Sequence, residues 1–200
     1  MSHHMSVFLG QHSIVHSAEV SGGETEWSLA DAIIQGLTDD QMRACPREGV
    51  NSIAWLYWHM ARTEDAAINL LVAEGSQVLD EEWRVRLDLT RRDIGTAMTD
   101  EEVREISRRI NIKEMLAYRN AVGIRTREIA RGIAPEELDV VIDADRIQAL
   151  HHASALVEAA VRVARFWQGK TKRFLFNMPA SGHSFMHLSE ALTTRRMLGV

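Results

Sequence analysis

Cysteine is almost missing from this chain. Cys45 is the only one, so no internal disulfide can form, and a reducing, cytoplasmic setting is the expectation. Proline is nearly as scarce, with three in 200 residues, and runs of β-branched residues are few, so nothing suggests a strand ladder. No stretch of about 18 apolar residues occurs, which argues against a membrane-spanning helix. Gln11, His12 and His16 interrupt the weakly apolar start, so it does not read as a secretory signal. A basic stripe of the kind that tracks phosphates is also lacking. Arg91-Arg92, Arg108-Arg109, Arg195-Arg196 and the stretch from Lys170 to Arg173 are embedded in a chain of net charge −5 with acids interleaved. Nucleic acid is therefore not expected as the partner, and a small-molecule substrate is. The opening Met1-Ser2-His3-His4 reads either as native or as the scar of an expression tag. The expected domain spans residues 1–200, with 1–5 expected to be disordered or tag-derived, and Met1 to His4 are left out of the site.

What remains is a composition of 46% hydrophobic and 26% charged residues, ordinary for a single globular domain of 200 residues with a core of its own. Periodicity is helical throughout. From Ser52 to about Glu74, Ile53, Leu56, Tyr57, Met60, Ala67, Ile68 and Leu71 recur at steps of three and four, with Asn51 as N-cap and Gly75 as stop. Ser28 with Asp31 opens a shorter helix that closes near Gly36. A first helix over Ser6 to Ala18 is expected to be interrupted by Gly10. Thr99 to Glu102 forms a capping box for a helix to about Ile110, and Asn111 caps another to Gly132. Glu136 to Asp143 reads as extended or irregular, and Asp145 to Gln168 as helix again. Pro179 and Gly182 mark a loop before a last helix ending at Gly199.

Nine histidines stand on this frame. His183 and His187 are four apart on the last helix, one turn up the same face, with Glu190 three further on. His12, His16 and Glu19 repeat that spacing near the start, and spacing alone does not separate the two sets. His59 lies in the most apolar helix beside Trp55 and Trp58, where it needs a polar partner: a backbone carbonyl, an acid or a metal ion. The adjacent His151 and His152 point about 100° apart and cannot share one site.

Two stretches, NSIAWLYWHMARTED around His59 and GHSFMHLSEALTTRRMLG at the end, resemble the DinB-like (damage-inducible B) family of bacterial helical bundles. That resemblance covers most of the chain. It implies an all-α, up-down-down-up four-helix bundle with a long connection holding extra short helices, such as Thr99 to Ile110. It also implies one divalent ion held by His59, His183 and His187, leaving His12 and His16 to a helix surface or pocket rim. Three nitrogen ligands leave positions open for water or substrate, and Zn²⁺ and Ni²⁺ both suit imidazole. Family members that use low-molecular-weight thiols such as bacillithiol or mycothiol make S-transfer the expected activity. A thiol-free hydrolase or isomerase and a non-catalytic metal- or ligand-binding bundle stand as alternatives. Glu64 and Glu190 are the carboxylates placed to orient a ligand or act as a base, and either equally suits an inter-helix ion pair. Arg62, Arg195 and Arg196 read as a solvated helix face in preference to a carboxylate clamp. Cys45, before Pro46, has no sequence partner that would make it a nucleophile. Phe174, Leu175, Phe176 and Met178 suggest an exposed end through which a homodimer would pair.

Overall fold

A computed structural model describes residues 2–200. Helices α1 (His3–Val15), α4 (Ile53–Asp65), α7 (Ile112–Gly132) and α11 (His183–Leu198) are the long ones. α4 packs against α7 and α11, and α1 packs against the same two. Among the described residues no strand forms; a single isolated bridge joins Val141 to Thr171.

Every residue of α4 is buried, which follows from an apolar stripe widened by Ala54, Ala61 and the two tryptophans until neighbours cover it all round. Ser52 caps it by accepting the Trp55 N–H. Asn51, expected in that role, instead donates to Glu190. The helix runs on without a break into a π-helical stretch, Ala66–Val72. Asp65, at the junction, accepts from Arg62 Nη1 (2.9 Å), Tyr118 Oη (2.6 Å), Asn69 Nδ2 (2.8 Å) and the Val78 and Leu79 N–H groups (2.8 and 3.0 Å). Arg62 is fully buried in the same network and donates also to Gln77 and the Arg92 carbonyl. It is therefore not on a solvated face. Its burial is tolerable because its charge is paired and most of its N–H groups are satisfied.

The short helices α2 (Leu29–Ile34), α3 (Asp39–Arg43), α5 (Glu81–Leu87) and α6 (Asp100–Arg109) surround the first half of α4. Thr99 makes the expected capping box on α6. α8 (Ala144–His152), α9 (Val161–Trp167) and α10 (Lys172–Asn177) gather a second apolar cluster around Ala66–Val72 together with Met5, Phe8 and Leu9 of α1.

Several expectations change here. α1 is continuous through Gly10 and begins at His3, because a mid-helix glycine costs only about 1 kcal/mol and tertiary packing overrides it. The stretch expected to be one helix over 145–168 is two, broken at Ser154, whose φ is +53°. That break frees the Ala155 carbonyl to accept the Ile94 N–H at 3.0 Å, a tertiary bond that no local pattern encodes. Glu136 to Asp143 divides into a 3₁₀ turn, Pro135–Asp139, and an extended piece bonded to residues 169–172. The expected loop at Pro179 and Gly182 is a π-helical turn, Met178–Gly182, that joins α10 to α11. Leu175 and Phe176 are fully buried and Phe174 and Met178 half-buried, so that stretch belongs to the core and is no exposed patch. No helix among the described residues is long and apolar enough to cross a membrane.

Candidate metal centre

His59, near the middle of α4, meets His183 and His187 from the first turn and a half of α11. One ligand-type atom from each lies within 4.8 Å of the other two. The ring centroids of His59 are 4.9 Å from both partners, and those of His183 and His187 are 4.4 Å apart. His59 is 5% exposed and the other two are half-buried, so the cluster lies at the floor of an opening, not in sealed core.

Hydrogen bonds set which nitrogen of each ring faces inward. His59 Nδ1 donates to the Ile94 carbonyl at 2.5 Å. His187 Nδ1 donates to Glu190 Oε2 at 2.9 Å, and Glu190 Oε1 is held in turn by Asn51 Nδ2 at 2.8 Å. With Nδ1 carrying the proton in both rings, each Nε2 keeps its lone pair for the shared space. His187 Nε2 and His183 Nε2 are 3.1 Å apart, close to the roughly 3.4 Å between two ligands on one tetrahedral ion with 2.0–2.1 Å bonds. A carboxylate or carbonyl behind each ligating imidazole is the usual support of a metal site. Burial, with the neighbouring His187, lowers the pKa of His59 to about 4, and burial lowers that of His183 well below its ordinary value. Both rings are thus neutral at neutral pH and available as donors.

The loop before Ile94 is shaped for this purpose. Asp93 accepts from Arg91 and from the Gly95 N–H. Gly95 has φ +80°, and a Cβ there would come within 2.5 Å of the Trp58 ring, so only glycine lets the loop turn against α4 and present the Ile94 carbonyl to His59. Trp55 stacks on the other side of His59, 4.7 Å between centroids and 11° from parallel. A cavity of about 120 Å³ adjoins the cluster, lined among others by His183, Thr63, Ile94, Val163, Phe166 and Trp167. Thr63 Oγ1 and His183 Nδ1 are buried without a hydrogen-bond partner.

The remaining candidates lie elsewhere. Glu64 does not join His59; it is fully buried and bonded to His12 and His16, which are fully buried too and lie on no surface or pocket rim. Spacing missed this partnership because Glu64 comes from a different helix, while Glu19, which the spacing favoured, accepts from Asn120. Arg195 donates to the Ala32 and Ile33 carbonyls, and Arg196 is exposed. His151 and His152 are both exposed. Cys45 is half-buried and unpaired.

Fold and site together define an all-α bundle with a three-histidine cluster beside a small, mostly apolar cavity that His183 lines. The chain belongs to the DinB superfamily, whose model matches residues 23–165. That match takes in His59 and stops short of His183 and His187. A crystal structure described as the conserved protein of locus from Enterococcus faecalis is similar over 98% of this chain and 97% of that one, with a TM-score of 0.65 and 18% identity; this likeness concerns the fold. No curated protein matches the chain.

Proposed function

We propose that this chain is a metal-dependent enzyme that holds one divalent ion, Zn²⁺ or Ni²⁺, on Nε2 of His59, His183 and His187, and that its reaction is S-transfer from a low-molecular-weight thiol. The observation that carries the metal reading is the pair of Nδ1 hydrogen bonds, to Ile94 O and to Glu190, which turn two Nε2 lone pairs toward a third imidazole. Three imidazoles bring no charge to offset a cation but suit a borderline-soft ion and leave coordination positions free. An ion held there supplies a Lewis-acid centre that acidifies a thiol or a water molecule at neutral pH.

The protein's own groups do the positioning. Ile94 O and Trp55 fix the plane of His59, and Asn51 fixes Glu190, which fixes His187. Val163, Phe166 and Trp167 exclude water on one side and accept an apolar substituent. Thr63 lines the cavity from the α4 wall. No lysine or arginine is among the residues lining this cavity, so the carboxylates of a thiol co-substrate stay outside it while the sulfur end enters.

Metal analysis of the purified protein, followed by thiol titration of the Co²⁺-substituted form, tests both levels. Expected are a bound ion lost in His187→Ala, affinity for it reduced about 10- to 100-fold in Glu190→Gln, and a change in the Co²⁺ absorption on adding bacillithiol, mycothiol or glutathione. Loading that is unaffected by His187→Ala overturns the metal reading. Metal binding with a spectrum that no thiol perturbs overturns the thiol reading and leaves water chemistry or plain ligand binding in its place.

A further inference from the structure

Across α4 from the triad is a second cluster that the proposed reaction leaves unused. His12, in the last turn of α1, and His16, the residue that ends it, bring Nε2 to the two oxygens of Glu64 at 2.9 and 2.7 Å. Their rings stack 4.2 Å apart at 22°. All three side chains have no solvent exposure, and their ligand-type atoms lie within 4.8 Å of one another.

The arrangement repeats the logic of the triad with different donors. α4 sits between two histidine pairs of i, i+4 spacing. His59 meets the pair on α11, and Glu64, five residues and about 7.5 Å further along the axis, meets the pair on α1. Hydrogen bonds alone leave this cluster without a countercharge. Glu64 is a fully buried carboxylate bonded only by two imidazoles, and a buried charge is costly unless a cation offsets it. Among the described residues no arginine or lysine bonds Glu64. Arg119, whose charge is felt at His16, donates instead to the Val15 carbonyl and leaves its Nε and Nη1 unpartnered. The chain has also made room for one of these rings. Gly123 lies inside α7, where a Cβ would come within 2.6 Å of His16 Nδ1 and 2.8 Å of Cε1, so a residue that weakens the helix is used where the imidazole packs.

We propose that His12, His16 and Glu64 form a second divalent-cation site, built from two imidazoles and one carboxylate and separate from the triad. Two Nε2 atoms and both Glu64 oxygens give four donors of the kinds that Zn²⁺, Mn²⁺ and Fe²⁺ accept, and Glu64 supplies the negative charge that the triad lacks. Bonds of 2.0–2.2 Å require the donors to part by a few tenths of an ångström from their hydrogen-bonded spacing. Because the site is closed on all sides, its ion ties α1 to α4 and is taken up with folding, not from the finished surface.

The test counts metal in the full-length protein produced and refolded with Zn²⁺, before and after EDTA. Expected are two equivalents per chain in the native protein, of which EDTA removes the one at the half-exposed triad and leaves the other until the protein is unfolded. His183→Ala/His187→Ala, at half-buried positions, should keep one EDTA-resistant equivalent, and Glu64→Gln should keep one EDTA-labile equivalent. Should Glu64→Gln fail to fold, the double variant and the native count decide alone. One equivalent in the native protein, labile to EDTA and absent from the double variant, overturns the second site and leaves the triad standing. A native count of only one equivalent, retained in full by the double variant, supports the second site and overturns the triad; no metal in either protein overturns both.

Discussion

Two glycines inside long helices should respond to alanine with opposite signs. Gly10 lies within α1, exposed, with a helical φ and nothing within 4 Å of a prospective Cβ. Gly123 lies within α7, buried, where the same Cβ would stand 2.6 and 2.8 Å from His16 and 2.8 Å from Val20 Cγ1. Both replacements gain the helix-propensity difference of about 1 kcal/mol. At Gly10 nothing opposes it, so Gly10→Ala should raise stability by about 0.5–1 kcal/mol and Tm by about 1–4 °C for a chain of this size. At Gly123 the methyl group must displace an imidazole pinned by its 2.7 Å bond to Glu64. Overpacking of that kind costs about 1–3 kcal/mol, and weakening a hydrogen bond to a charged group costs a further 1.5–3 kcal/mol or so. The net is a loss of about 1.5–5 kcal/mol and a drop in Tm of about 3–20 °C. Urea denaturation and thermal melts followed by circular dichroism read both variants against the parent. A Gly123→Ala protein as stable as the parent, or more so, would refute the placement of His16 against α7 and with it the closed cluster on Glu64.

Further outcomes follow from the buried charges. Removing Asp65 strands the Arg62 guanidinium and the Val78 and Leu79 N–H groups, all of which it accepts. Asp65→Ala should therefore cost about 3–5 kcal/mol in urea denaturation, and a loss under about 1 kcal/mol contradicts the network. Stability of the metal-free protein should also fall with acid. Burial lowers His59 from 6.5 to about 4 and His16 from 6.5 to about 3. Below pH 6.5 the unfolded chain then takes up protons that the folded one refuses, so stability is full above that pH and declines as pH drops toward 4. The slope is up to about 1.4 kcal/mol per pH unit for each ring. Urea midpoints that stay constant between pH 7 and 5 would mean that these rings are not desolvated in the fold.

The fold class was legible in the sequence because it depends on local rules. Apolar spacing through α4, the Thr99–Glu102 capping box, Asn111 at the start of α7 and the glycine after α11 all act within one or two turns, and each is where the pattern put it. The i, i+4 pair of His183 and His187 was legible for the same reason. Spacing did not say what met that pair; the family resemblance named His59, and packing brings it there. Two histidine pairs of identical spacing face two different residues of α4, and only packing shows that Glu64, five positions on from His59, goes to α1. The supports of the triad were equally out of reach. Ile94 reaches His59 because α8 and α9 break apart and Ala155 captures the Ile94 N–H, and Asn51 reaches Glu190 from 139 residues away. Such contacts rest on long-range loop closure and burial, and periodicity carries no record of either.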